Sequence, residues 1–191
     1  MFRLNAESGL LQEARQVQSP NCDDRPAGCS AGLIVVHGIS LPPGKFGGPW
    51  IDRLFTNTLP PEEHPYFAEI AAFAVSAHFL IRRDGSLIQY VPVTRRAWHA
   101  GESNYEGRER CNDFSVGIEL EGEDLTLYEA AQYDCLAILI TTLRTQYPGL
   151  VDAPVVGHSD VAPGRKTDPG EAFDWNKLWE LLSQQELQEN K

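Results

Sequence analysis

The stretch SAHFLIRRDGSLIQYVPV, residues 76–93, constrains the fold more than any other part of the chain. Two alternating apolar runs, AHFLIR and SLIQYVPV, flank Asp84–Gly85, the residue pair preferred in tight hairpin turns. Other segments supply a sheet around that hairpin. LIVVHGIS (33–40) is an apolar, β-branched run of the kind found in buried strands, stopped by Gly38 and then by Pro42–Pro43–Gly44. SVGIELEG (115–122) reads as a strand in which Val116, Ile118 and Leu120 alternate with Gly117, Glu119 and Glu121, and Glu121 is expected to face solvent. APVVGH (153–158) is a further short strand.

Helical periodicity accounts for most of the remainder. TLYEAAQYDCLAILITTLRTQYPG (126–149) predicts a long helix closed by Pro148–Gly149, and FDWNKLWELLSQQELQ (173–188) an amphipathic C-terminal helix. Residues 7–16 read as a short amphipathic helix with Leu10, Leu11 and Ala14 on one side, and WIDRLFTN (50–57) as a helical turn or two. LPPEEHPYFAEIA (59–71) reads as irregular. Strands and helices mixed in this way predict an α/β (α+β) fold, a central sheet with helices packed against it. With 191 residues and no linker, one domain is expected over 1–191, its core at about 9–180.

Charge narrows the function. Sixteen basic and twenty-seven acidic residues give 16 − 27 = −11, which argues against a binder that tracks nucleic-acid phosphates. The chain has no tract of eighteen apolar residues, so no membrane partner is expected. MFRLNAESGLLQEARQV is broken by Asn5, Glu7, Gln12 and Glu13 and lacks a secretory core, which predicts a cytoplasmic protein. Cys22, Cys29, Cys111 and Cys135 form no Cys-x-x-Cys pair and suggest no disulfide framework; Cys135 reads as a small core residue.

Chemistry concentrates in GHSDVAPGRKTDPG (157–170), whose prolines and glycines rule out one regular element throughout. His158 and Asp168 there, with His37 at the end of the first apolar strand, make two imidazoles and a carboxylate. That is a catalytic zinc set, with one tetrahedral position left for water. Spacing alone does not bring these residues together, and His78 or His99 could replace His37. Glu119 is a candidate general base if buried beside a cation. Lys166, two residues before Asp168, shares its side of an extended segment and could stabilise an oxyanion. His64, before Pro65, reads as exposed, and Trp98 beside His99 suits a sugar-binding wall.

Four segments, VVHGISLPPGKFGGPWID, SAHFLIRRDGSLIQYVPVTRRAWHAG, GRERCNDFSVGIELEG and GHSDVAPGRKTDPG, together resemble the N-acetylmuramoyl-L-alanine amidase type 2 family. Its fold is shared with phage amidase-lysozymes and peptidoglycan recognition proteins. The resemblance runs from about Gly9 to Trp179 and implies a mixed β-sheet flanked by helices, with a zinc at one end of a groove. It places one zinc ion on His37, His158 and Asp168, makes Glu119 the catalytic acid/base and makes Lys166 its electrophilic helper. Trp98 matches a position lining the muramyl sugar pocket, and Arg110 one that binds the stem peptide or lactyl region. The implied substrate is a 1,6-anhydro-N-acetylmuramyl peptide, cut between the lactyl group and L-Ala by a cytoplasmic monomer. Two other readings fit the same fold: a non-catalytic peptidoglycan-binding module, and an amidase acting on intact wall. Two positions depart from the family pattern, Gly38 where it has Asn and Ala74 where it often has Arg. Both bear on peptide affinity rather than on the metal set.

Overall fold

The computed structural model describes residues 1–189. Its principal sheet has six strands: β1 (Arg15–Gln16), β2 (Leu33–Ile39), β3 (Phe79–Ile81), β4 (Leu87–Gln89), β5 (Ser115–Glu121) and β6 (Val155–Gly157). Their order is β6-β2-β5-β3-β4-β1. β6, β2, β5 and β3 run parallel, β4 is antiparallel to β3, and β1 runs with β4, so the sheet is mixed. β2 and β5 lie inside it and are covered on both faces, which is why β2 reads as a near-continuous apolar run, while β5 buries Glu119 and Glu121 as well as its apolar residues.

On one face, Ile34, Val36, Val116, Ile118 and Leu120 pack with α3 (Ala130–Gln146) and α5 (Trp175–Glu189). Ile118 and Leu120 are fully buried there, each worth about 2 kcal/mol of apolar burial. The α3 N-terminus is closed by a reciprocal pair: Glu129 accepts from the Gln132 amide, and the Gln132 side chain accepts from the Glu129 amide at 3.0 Å. Gln132 also donates to the Ile81 and Glu121 carbonyls, which clips the helix to the sheet.

The other face is divided. Toward the hairpin, Leu80 and Ile88 pack on Ile51, Leu54 and Phe55 of α1 (Trp50–Phe55) and on Phe67 and Ile70 of α2 (Pro65–Ile70). Toward β6, Leu33 and Val35 pack with Ala100, Cys111, Phe114 and Val161. A groove lies on this face, at the C-terminal ends of the parallel strands.

Four local expectations change. The hairpin forms, but its turn has three residues: the Gly85 amide donates to the Arg82 carbonyl and the Arg82 amide to the Ser86 carbonyl, both at 2.9 Å, with Gly85 at φ 82°. Residues 7–16 are not helical. Leu10–Leu11 pairs with Leu4–Asn5, and Gly9, at φ 70°, turns the chain against the Val93 and Thr94 amides where a Cβ would come within 2.8 Å. Residues 59–71 are not irregular: Pro61 opens a 3₁₀ turn and Pro65 opens α2, positions where proline forfeits no intrahelical donor. His64, half-buried, caps α2 by accepting from the Tyr66 amide at 3.1 Å. Glu121 does not face solvent; it is 2% exposed beneath the 43–49 loop.

Candidate active site

Strand register builds the site. On the parallel pair β2–β5, His37 lies opposite Glu119, and Gly157 of β6 lies opposite Val36. His158, the next residue, therefore starts the one-turn helix α4 (His158–Val161) beside His37. The crevice outside the C-terminal ends of parallel strands is where such sheets hold ligands. His37 Nδ1 and His158 Nδ1 are 2.9 Å apart. Asp168 Oδ2 is 3.2 Å from the first and 3.0 Å from the second. Among the described residues these three side chains form the group able to hold a metal ion, an N₂O set suited to zinc. Burial pushes the His37 imidazole down to about 4, so it is neutral at pH 7, as a ligand must be.

The other candidates lie outside this group. Asp160, nearest His158 in sequence, turns away and accepts from the Gly157 amide at 2.7 Å. His78 is fully buried; its Nδ1 accepts from the Gly117 amide at 3.0 Å and its Nε2 donates to the Arg95 carbonyl at 3.1 Å. Burial and the Arg25 charge push it down to about 3, which makes it a neutral structural residue. His99 is not in the triad but touches it: its Nδ1 is 2.9 Å from His37 Nε2.

The triad opens into a groove of about 800 Å³ whose lining includes Glu119, Lys166 and Trp98. Glu119 is 8% exposed and its Oε2 has no hydrogen-bond partner. Burial, then the Asp168 charge, pushes its carboxyl well above 4.5, while the Lys166 ammonium pulls the other way. Lys166 itself is exposed on the groove wall. The Trp98 indole is pinned by a 3.1 Å bond from Nε1 to Asp23 Oδ1. Arg110 is not in this groove. It is exposed, 3.4 Å from Asp113, and lines a neighbouring cavity of about 450 Å³ that shares only Arg165 with the groove. Arg165 ties the 157–170 loop to the Ala100 carbonyl at 2.6 Å.

Several contributors escape sequence reasoning. Tyr128 donates to the Pro169 carbonyl at 2.9 Å, and a Cβ at Gly38 would overlap its hydroxyl, which accounts for glycine beside His37. Gly117 carried a usable signal, since a glycine inside a strand often marks close approach. A Cβ there would come within 2.5 Å of the His99 ring.

The family described as N-acetylmuramoyl-L-alanine amidase matches residues 30–171. A Salmonella typhimurium protein, 1,6-anhydro-N-acetylmuramyl-L-alanine amidase AmpD, is 59% identical over 177 residues, covering 93% of this chain and 94% of its own. The crystal structure of a selenomethionine AmpD derivative superposes with a TM-score of 0.90 at 57% identity, covering 94% of this chain and 99% of that one. The amidase AmiD from Escherichia coli, solved with anhydro-N-acetylmuramic acid-L-Ala-D-γ-Glu-L-Lys, gives a TM-score of 0.57 at 26% identity over 82% of this chain and 60% of that one.

Proposed function

The chain belongs to the N-acetylmuramoyl-L-alanine amidase family, and from that premise we propose that it is a zinc amidase cleaving the lactyl–L-Ala bond of 1,6-anhydro-N-acetylmuramyl peptides. The observation that carries the reading is the meeting of His37 Nδ1, His158 Nδ1 and Asp168 Oδ2 beside a buried, unpartnered Glu119. Those three residues would hold the zinc, which when bound supplies Lewis acidity and brings the pKa of water toward neutrality.

The chain's own residues do the rest. Glu119 takes a proton from the attacking water, whose oxygen bonds to the lactyl carbonyl carbon. As the C–N bond breaks, Glu119 passes that proton to the departing amine of L-Ala. Its raised affinity for protons suits both halves of the exchange. The Lys166 ammonium offsets negative charge developing on the carbonyl oxygen. The Trp98 ring, held edge-on by Asp23, forms a wall for the sugar, and Arg110 reaches the peptide from the adjoining cavity. Four unpaired cysteines among the described residues support a reducing compartment, the cytoplasm. No helix among the described residues is long and apolar enough to cross a membrane.

The test is release of L-Ala-headed peptide from an anhydromuramyl substrate, with and without a chelator, beside the ordinary muramyl substrate. The reading expects chelation to stop release, zinc to restore it, and the anhydro sugar to be preferred. Full activity after complete metal removal overturns the zinc assignment, and equal rates on the two sugars overturn the substrate assignment.

A further inference from the structure

His37 can hold a metal through Nδ1 only if its single ring proton is on Nε2, and a chain of hydrogen bonds leading away from the groove determines where that proton is. The chain begins at the Cys111 carbonyl, which accepts from Ser115 Oγ at 2.6 Å. A carbonyl oxygen carries no proton, so the hydroxyl hydrogen of Ser115 points at Cys111. The Ser115 oxygen is 3.0 Å from His99 Nε2, and with its own hydrogen committed it accepts there, which puts the His99 proton on Nε2. Among the described residues no carboxylate bonds to the His99 ring, so its one ring proton is the Nε2 proton given to Ser115, and its bare Nδ1 accepts from His37 Nε2 at 2.9 Å. The His37 proton is then on Nε2, and the lone pair of Nδ1 faces His158 and Asp168. His158 reaches the same state separately, its Nε2 facing the Ala100 carbonyl at 3.3 Å.

The His99 ring is held so that this chain has one geometry. Its backbone amide donates to Asn112 Oδ1 at 3.1 Å, and the missing Cβ of Gly117 leaves the slot the ring fills. Ser115, fully buried at the start of β5, touches none of the three proposed ligands yet sets the polarity of the whole chain.

We propose that His99, oriented by Ser115, is a positioning residue that fixes the tautomer of His37 and so presents Nδ1 to the metal; this rests on the zinc reading above. Partners of this kind typically govern metal affinity by 10- to 100-fold.

The experiment pairs nitrogen NMR of the imidazoles in the zinc-loaded protein with zinc affinities from chelator competition. The expected spectrum has His37 and His99 both protonated on Nε2. His99→Phe, which keeps a flat ring but no acceptor, is expected to bind zinc about 10- to 100-fold more weakly than wild type. His99→Gln, which keeps an acceptor but no ring, is expected to recover part of that loss. A packing role predicts the opposite order, so Phe binding zinc as well as or better than Gln overturns the proposal. A His37 proton found on Nδ1 in the wild-type protein overturns it even if neither variant folds. Wild-type protein that binds no zinc overturns the zinc reading and this inference with it, whereas tight wild-type binding with the wrong tautomer defeats the inference alone.

Discussion

Glu119 and Glu121 are two residues apart on one face of one strand, and both are buried, at 8% and 2% exposure. Glu121 is saturated. It accepts from the Gly47 amide at 2.7 Å, from Arg82 at 2.9 Å and from the Arg83 amide at 3.3 Å, and so fastens the 43–49 loop and the β3–β4 hairpin to the sheet. Glu119 has an oxygen with no partner and a raised affinity for protons. Residue type, face and burial are shared; the difference is what surrounds each carboxylate. A satisfied buried carboxylate holds structure, whereas an unsatisfied one beside the groove is free to exchange a proton.

Breaking the Glu121 end should give the largest effect on stability. Glu121→Ala leaves the half-buried Arg82 with the Gly47 carbonyl at 3.2 Å and Asp52 at 3.5 Å as its remaining partners, and should lower the unfolding free energy by about 3 kcal/mol in denaturant titrations. A loss below 1 kcal/mol would remove the contrast. At the Glu119 end, Lys166→Ala should leave folding unchanged, because the side chain is exposed, but reduce kcat by about 10- to 100-fold. Because the Lys166 ammonium holds the Glu119 carboxyl down, the same variant should move the acid limb of the pH–rate profile upward.

The smallest effect is on the pH dependence of stability. Folding raises the Glu119 pKa above its ordinary 4.5, so between those two values the folded chain holds more protons than the unfolded chain. Unfolding free energy therefore falls as pH rises through that window. Metal-free Glu119→Gln lacks this loss, and its denaturant midpoint should gain on that of wild type as pH rises above 4.5. Equal slopes would mean that burial does not perturb Glu119.

The same contrast shows what was legible in the sequence. Local periodicity supplied the β3–β4 hairpin, β2, β5, α3 and α5, because each carries its pattern within its own residues. It misread Leu10, Leu11 and Ala14 as a helical face, because the turn at Gly9 follows from contact with residues 93–94. It placed Glu121 in solvent because the loop that covers it is more than seventy residues away in sequence. His37 and His158, 121 residues apart, meet through the register of parallel strands, which spacing does not encode. Four family motifs in order did point to them, to Asp168 and to Glu119. His99 escaped because its part is a hydrogen bond to His37 rather than a place in the triad.

The most direct test of the account is the turnover of an anhydromuramyl L-Ala peptide by zinc-loaded Glu119→Gln beside zinc-loaded Glu121→Gln. Both variants should bind about one zinc per chain. The rate should fall by about 10²- to 10⁴-fold in the first and stay within a few-fold of wild type in the second. Glu119→Gln turning over substrate at the wild-type rate would contradict the account.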